Sequence, residues 1–298
     1  MAKAPTNPAA GILLVDKPQG ITSHDVVTRA RRAIGTRKVG HAGTLDPMAT
    51  GLLVLGVNAA TRLLTWVVGL DKEYTATIRL GAASTTDDAE GELGAARDTS
   101  HVTDAAVAAG AAALTGPILQ RPSSVSAIKV DGRRAYALVR EGEQVELAER
   151  PVTISEFAVL ETRRTDGWLD LDVRVACSSG TYIRALARDL GESLGTGGHL
   201  TVLRRTRIGP FAVASASSLD DDLAAHMLEP ADVASTLFER VDLTPEQAVD
   251  LGHGKRIALG ATGAGTLAAV APDGRLVGLV ENVAGRAHVL VNFPEERA

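Results

Sequence analysis

Apolar positions recur along this chain with two different periods, and the alternation between them predicts a fold of mixed strands and helices. Residues 11–15 form a short apolar strand. Beyond it, Val26, Val27, Ala30, Ala33 and Ile34 share one helical face, while Arg29 and Arg32 fall on the opposite one. Thr22 and Asp25, three residues apart, predict a capping box that opens this helix, and Gly35 ends it. Residues 52–57 read as a buried strand and 59–70 as a helix. Residues 73–80 alternate, placing Tyr74, Ala76, Ile78 and Leu80 on one face of a strand. The polar, acidic stretch 84–103 reads as a surface excursion, and an alanine-rich helix over 104–114 is ended by Gly116 and Pro117.

Residues 125–130, the turn Asp131-Gly132 and residues 133–140 predict a strand running through a tight turn into a basic helix, a thumb-like protrusion spanning about 124–150. Strands over 152–161 and 169–176 follow. Ser178-Ser179-Gly180-Thr181 then leads into a helix carrying Leu186, Leu190 and Leu194, and 200–207 is a further strand. Helices interspersed without a steady βαβ rhythm predict an α+β domain with a mixed, largely antiparallel sheet. From about residue 241 the texture changes. Thr244, Pro245 and Gln247 open a short helix that Gly252-His253-Gly254 stops. Residues 267–271 and 276–281 flank Pro272-Asp273-Gly274 as a hairpin, and 287–292 is the last strand. The predicted organisation is a disordered lead-in over 1–10, a large domain over 11–219, a connector over 220–240 and a small β-rich module over 241–298.

Composition narrows the chemistry. Of 298 residues, 45% are hydrophobic, enough for a sizeable core. Cys177 is the only cysteine, which excludes an internal disulfide and any zinc site needing two thiolates. It follows an alternating strand and reads as a small buried hydrophobe. No apolar run approaches a membrane span, and the first ten residues lack a signal-peptide core, so a soluble, cytoplasmic protein is expected. Neither a GxxxxGK[ST] nor a GxGxxG cradle occurs, and no histidine pair has ligand spacing. Nucleotide and metal hydrolysis are therefore disfavoured, and no metal is expected. The net charge of −5 conceals segregation: Arg29, Arg31, Arg32, Arg37 and Lys38 cluster, as do Arg204, Arg205 and Arg207, against an acidic block of Asp87, Asp88, Glu90 and Glu92. A basic face on an acidic protein is compatible with that pattern.

The richest chemical candidate is Gly40-His41-Ala42-Gly43-Thr44-Leu45-Asp46-Pro47-Met48-Ala49-Thr50-Gly51. Its glycines allow unusual backbone angles, while Pro47 fixes its own φ and pushes Asp46 toward an extended conformation. The residues alone permit two readings: a carboxylate presented for chemistry, or an Asx-type turn in which Asp46 bonds nearby amides. Tyr74 likewise reads as a core tyrosine or a pocket residue, and the basic helix face as a solvated or an anion-binding one.

Five segments taken together resemble the TruB family of bacterial tRNA pseudouridine(55) synthases. They are Gly11-Ile12-Leu13-Leu14-Val15-Asp16-Lys17-Pro18-Gln19-Gly20, the loop from His41 to Gly51, Asp71-Lys72-Glu73-Tyr74, residues 122–130, and Gly180-Thr181-Tyr182-Ile183-Arg184. The resemblance covers about residues 10–215 and implies the pseudouridine synthase fold. It implies that Asp46 is the catalytic aspartate of uridine isomerisation at position 55 of the tRNA T-loop, with Arg184 as its ion-pair partner. Uracil is cut from C1′ at N1, turned and rejoined through C5, so no cofactor is needed. A carboxylate can serve by attacking C1′, attacking C6 or removing a sugar proton. By the same resemblance Tyr74 stacks on the flipped base, Tyr182 lines its pocket and the Leu203 backbone contacts it. His41 occupies space that the extruded nucleotide leaves or needs. Arg29, Arg31, Arg32, Lys38, Arg204 and Arg205 would meet RNA phosphates. The C-terminal module resembles a PUA-type RNA-binding domain. The implied partner is the tRNA T-arm, engaged by a monomer. The competing readings are a non-enzymatic tRNA-binding or tRNA-folding protein and a guide-dependent rRNA pseudouridine synthase, whose long basic tails this chain lacks.

Overall fold

The computed structural model describes residues 9–123, 129–130, 133–134, 147–260 and 263–294. It forms two compact units, one made of Met1–Pro47, Gly51–Val68 and Pro210–Ala298, the other of Met48–Thr50 and Gly69–Gly209.

In the first unit, strand β1 (Gly11–Lys17) leads to a helix over Ser23–Ile34, strand β2 (Val39–Ala42) and strand β3 (Thr50–Val57). Both β1 and β2 run antiparallel to β3, with Lys17 opposite Gly51 and Ala42 opposite Val54. The helix has the expected capping box, and Gly35 closes it in the left-handed conformation at φ 78°. Val26, Val27, Ala30 and Ile34 pack on Leu13, Val15, Leu53, Leu55 and Val57. Ala33 is exposed, because its angular position falls at the edge of the stripe those four define. The helix expected over 59–70 is shorter: a 3-10 turn over Asn58–Leu63 precedes an α-helix over Leu64–Val68.

The second unit is an antiparallel sheet. It contains β4 (Lys72–Leu80), a helix over Asp104–Ala113, β5 (Gly116–Gln120), the two-residue strands β6 (Lys129–Val130) and β7 (Arg133–Arg134), β8 (Arg150–Thr165), β9 (Trp168–Cys177), a helix over Ile183–Ser193 and β10 (Gly198–Ile208). Its strand order is β10-β4-β9-β8-β5, antiparallel at every step. β4 alternates buried and half-buried positions along its whole length. Arg133 and Arg134, expected to open a helix, are strand residues opposite Val130 and Lys129. Of the rest of the expected thumb, residues 124–128, 131–132 and 135–146 lie outside the described residues. Cys177 is buried, and burial pushes its thiol up to about 11, in keeping with a core role.

From Pro210, and so including β11 (Phe211–Ala212), the chain belongs to the first unit again. Main chain around Ser217 and Leu228 hydrogen-bonds along β1: the Ile12 and Leu228 amides exchange bonds of 3.0 and 2.8 Å, and Ser217 donates to Leu14 at 2.9 Å. The stretch 220–240 carries a helix over Pro230–Leu237 and leads into β12 (Glu239–Asp242). A capped helix over Pro245–Gly252 follows. β12 is parallel to β13 (Thr266–Val270), which forms the expected hairpin with β14 (Leu276–Val283); β15 (Arg286–Asn292) completes a four-stranded sheet. The fold is α+β with mixed sheets.

The helix over Ile183–Ser193 approaches the start of β10 through glycines. A methyl group on Gly191 would lie 2.2 Å from the Gly198 nitrogen and 2.3 Å from the Gly197 carbonyl carbon. Backbone cannot yield as a flexible side chain does, so Gly191→Ala should cost about 1–3 kcal/mol of stability. A thermal melt checks this, and an unchanged midpoint would contradict the close approach.

Candidate active site

The loop carrying Asp46 is tighter than its sequence suggested. His41 lies within β2, and Thr50 and Gly51 within β3, so the connection spans only residues 43–49. Gly43 turns it at φ 77°. Two buried polar residues fix the main chain on either side of Asp46. Ser23, in the first turn of its helix, accepts from the Leu45 amide at 2.8 Å and donates to the Leu45 carbonyl at 3.1 Å. The Pro47 carbonyl accepts from the Gly20 amide at 2.8 Å and from the Lys17 ammonium at 3.4 Å. That ammonium also donates to Pro18 at 3.0 Å and Ile21 at 2.8 Å, and Lys17 is wholly buried. Leu45, Met48 and Ala49 point into the protein, whereas Asp46 is half-buried. The result is a carboxylate on a rigid base, suited to nucleophilic or proton-transfer chemistry.

In the second unit, Tyr74 is buried on β4, opposite Arg205 of β10 and Val175 of β9, and Leu203 lies opposite Ala76. Lys72, two positions earlier on the same face, is also buried and donates to the Leu70 carbonyl at 2.6 Å. Burial, helped by the like charge of Arg205, pushes its ammonium down to about 8. Tyr182 caps the helix over Ile183–Ser193, and the buried Gln120 amide grips its main chain, accepting from the Tyr182 amide at 2.8 Å and donating to its carbonyl at 3.0 Å. Arg184, in the first turn, is only 3% exposed. Its Nη1 donates to the Thr86 carbonyl at 2.8 Å and to Ser123 Oγ at 3.3 Å, and lies 3.4 Å from the Asp88 carboxylate.

Sequence reasoning placed Asp87 and Asp88 in a surface excursion, and the structure corrects this: both are buried, each against an arginine of that helix. Gln120, Ser123 and the ammonium of Lys17 were likewise missed as site-building groups. The basic residues divide. Arg29, Arg32 and Lys38 are exposed, as an RNA-facing surface requires. Arg31 is half-buried and donates to the Val39 carbonyl at 3.0 Å, and Arg204 is half-buried and donates to Thr50 Oγ1 at 3.4 Å. Arg205 is 1% exposed and is not a surface phosphate ligand. Strand periodicity puts it on the inward face shared with Leu203. Among the described residues no group of His, Cys, Asp and Glu is arranged to hold a metal ion, and no helix is long and apolar enough to cross a membrane.

These features meet a known class. Residues 31–183 match the model of the TruB family pseudouridylate synthase N-terminal domain. Residues 184–249 match the tRNA pseudouridylate synthase B C-terminal domain, and 238–294 the C-terminal region of tRNA pseudouridine synthase II. The protein is a pseudouridine synthase. Over 295 residues it is 58% identical to "tRNA pseudouridine synthase B" of Leifsonia xyli, covering 96% of this chain and 97% of the relative. The protein of the same name from Thermobifida fusca is 53% identical, covering 96% and 99%. The chain belongs to the TruB family. Its fold is shared with a solved chain of an H/ACA RNP bound to a substrate RNA containing 2′-deoxyuridine, at TM-score 0.70 and 23% identity, covering 95% of this chain and 84% of that one. A Cbf5-Nop10-Gar1 complex gives TM-score 0.70 at 24% identity, covering 95% and 85%.

Ser23→Ala would strip both bonds from Leu45, and a buried amide left without a partner costs about 1–3 kcal/mol. A lower denaturation midpoint and slower turnover are expected together; native values for both would remove Ser23 from the loop's support. For Lys72 the sign is set by its depressed pKa. The fold disfavours the ammonium, so the penalty is complete below about pH 8 and fades as pH rises toward the ordinary value of 10.5. The stability of the native protein relative to Lys72→Met should therefore improve between pH 8 and 10, measured by denaturant titration; a flat difference would contradict the assignment.

Proposed function

We propose that this enzyme isomerises uridine to pseudouridine at position 55 in the T-loop of tRNA, acting in the cytoplasm as a monomer on the T-arm. The observation that carries the reading is near-full-length identity, 58% over 96% of the chain, to a relative named tRNA pseudouridine synthase B. Asp46 is the catalytic carboxylate and Arg184, by the family resemblance, its ion-pair partner. Extruding the target uridine from a stacked loop costs a few kcal/mol. Stacking on Tyr74 returns about 1–3 kcal/mol of that. Tyr182, the Leu203 backbone and His41 complete the nucleotide's surroundings. The exposed Arg29, Arg32 and Lys38 take phosphates, and the module over 241–298 adds RNA contacts. The rigid support of the Asp46 loop favours this reading, because uracil must be cut, turned and rejoined against a carboxylate that stays in place.

Release of tritium from C5 of uridine in a tRNA transcript tests the proposal directly. The native protein should turn over with no accessory protein or guide RNA. Asp46→Asn should fall to background, and Arg184→Ala should slow chemistry far more than it weakens tRNA binding. A transcript lacking uridine at position 55 should release no tritium. Native-rate turnover by Asp46→Asn would sink the role of Asp46, and a requirement for guide RNA would favour the rRNA-type alternative.

A further inference from the structure

The buried carboxylates Asp87 and Asp88 take partners from one face of the helix over Ile183–Ser193, where Arg184 and Arg188 stand one turn apart. Arg188 Nη1 lies 3.2 Å from the Asp87 carboxylate, and its Nη2 donates to the Arg121 carbonyl at 2.8 Å. Asp87 also accepts from Ser123 Oγ at 2.8 Å. That hydroxyl, whose nearer acceptor is Asp87 and whose other is the Thr86 carbonyl at 3.2 Å, accepts from Arg184 Nη1 at 3.3 Å.

The backbone of Asp87 is equally constrained. Its φ of 60° lies in the left-handed region, which aspartate and asparagine tolerate better than most residues. Its amide donates to the Ser84 carbonyl at 3.2 Å, and its carbonyl accepts from Leu200 at 3.0 Å. On one side of this turn is the Thr86 carbonyl, on the other the Asp88 carboxylate, and both hold Arg184. One residue thus sets all three of these contacts to the guanidinium, two through its main chain and one through Ser123.

We propose that Asp87, neutralised by Arg188, is a positioning residue that fixes Arg184 for the isomerisation; the inference rests on the reading of Arg184 given above. Without the Asp87 charge, Arg188 keeps only its second carboxylate, Asp189 at 2.8 Å, and no longer holds the Asp87 turn, while Ser123 loses the anion that orients it.

Asp87→Asn isolates the charge, because asparagine keeps the left-handed turn. Its single-turnover rate is expected to fall about 10- to 100-fold, with tRNA affinity unchanged. Arg188→Met should show the same loss, and Arg188→Lys should recover most of it. In an Arg184→Lys background, Asp87→Asn should add little, since both act through one guanidinium. Native turnover by Asp87→Asn beside a defective Arg184→Lys would overturn the proposal alone, as would losses that multiply in the double variant. Native turnover by Arg184→Lys would remove the role of Arg184 and this inference with it. Ser123→Ala gives a second route to the same readout should Asp87→Asn fail to fold.

Discussion

The Lys17 ammonium is the constraint on which the Asp46 loop depends. A buried charge without partners costs far more than a surface one, and here three carbonyls, from Pro18, Ile21 and Pro47, meet it. Their dipoles supply what water would. Only an ammonium carries three donors in this geometry, so the end of β1, the turn into the first helix and the far side of the Asp46 loop become one hydrogen-bonded body. The proline that stiffens the loop thereby also offers the acceptor that anchors it.

Charge plays a different part in the second unit. Across β4, β8 and β9, Arg79 pairs with Asp170, Arg163 with Asp172 and Arg174 with Glu156, all partly exposed. Solvent screens such pairs, so they contribute little to stability and mainly dress the sheet. The pair between Arg184 and Asp88 is buried, and desolvation cancels most of its attraction. What it supplies is orientation, because a guanidinium with several fixed acceptors has few other places to point.

Local signals made much of this legible in the sequence. The capping box at Thr22, the alternation of β4, the hairpin at Pro272-Asp273-Gly274 and the buried cysteine follow from rules acting within a few residues. The Asp46 loop stood out for the same reason, its glycines and proline being adjacent. Long-range facts were silent. Nothing in Asp87-Asp88 marks them as buried, since their arginines lie about a hundred positions away. The fate of Arg205 was in principle readable from the inward alternation of Leu203, but its charge outweighed its register. The parallel strand β12 also escaped, because a four-residue edge strand has too short a pattern to announce itself.

The main chain that borders β1 has a temporal consequence. Ile12 bonds to Leu228, about two hundred residues later. On a ribosome adding about 5–20 residues per second, the amino-terminal strand waits ten seconds or more before the segment that covers its edge exists. Until then β1 presents an unpaired strand edge of the kind that invites association with other chains. The carboxy-terminal third therefore sets when the free edge of the amino-terminal strand is covered.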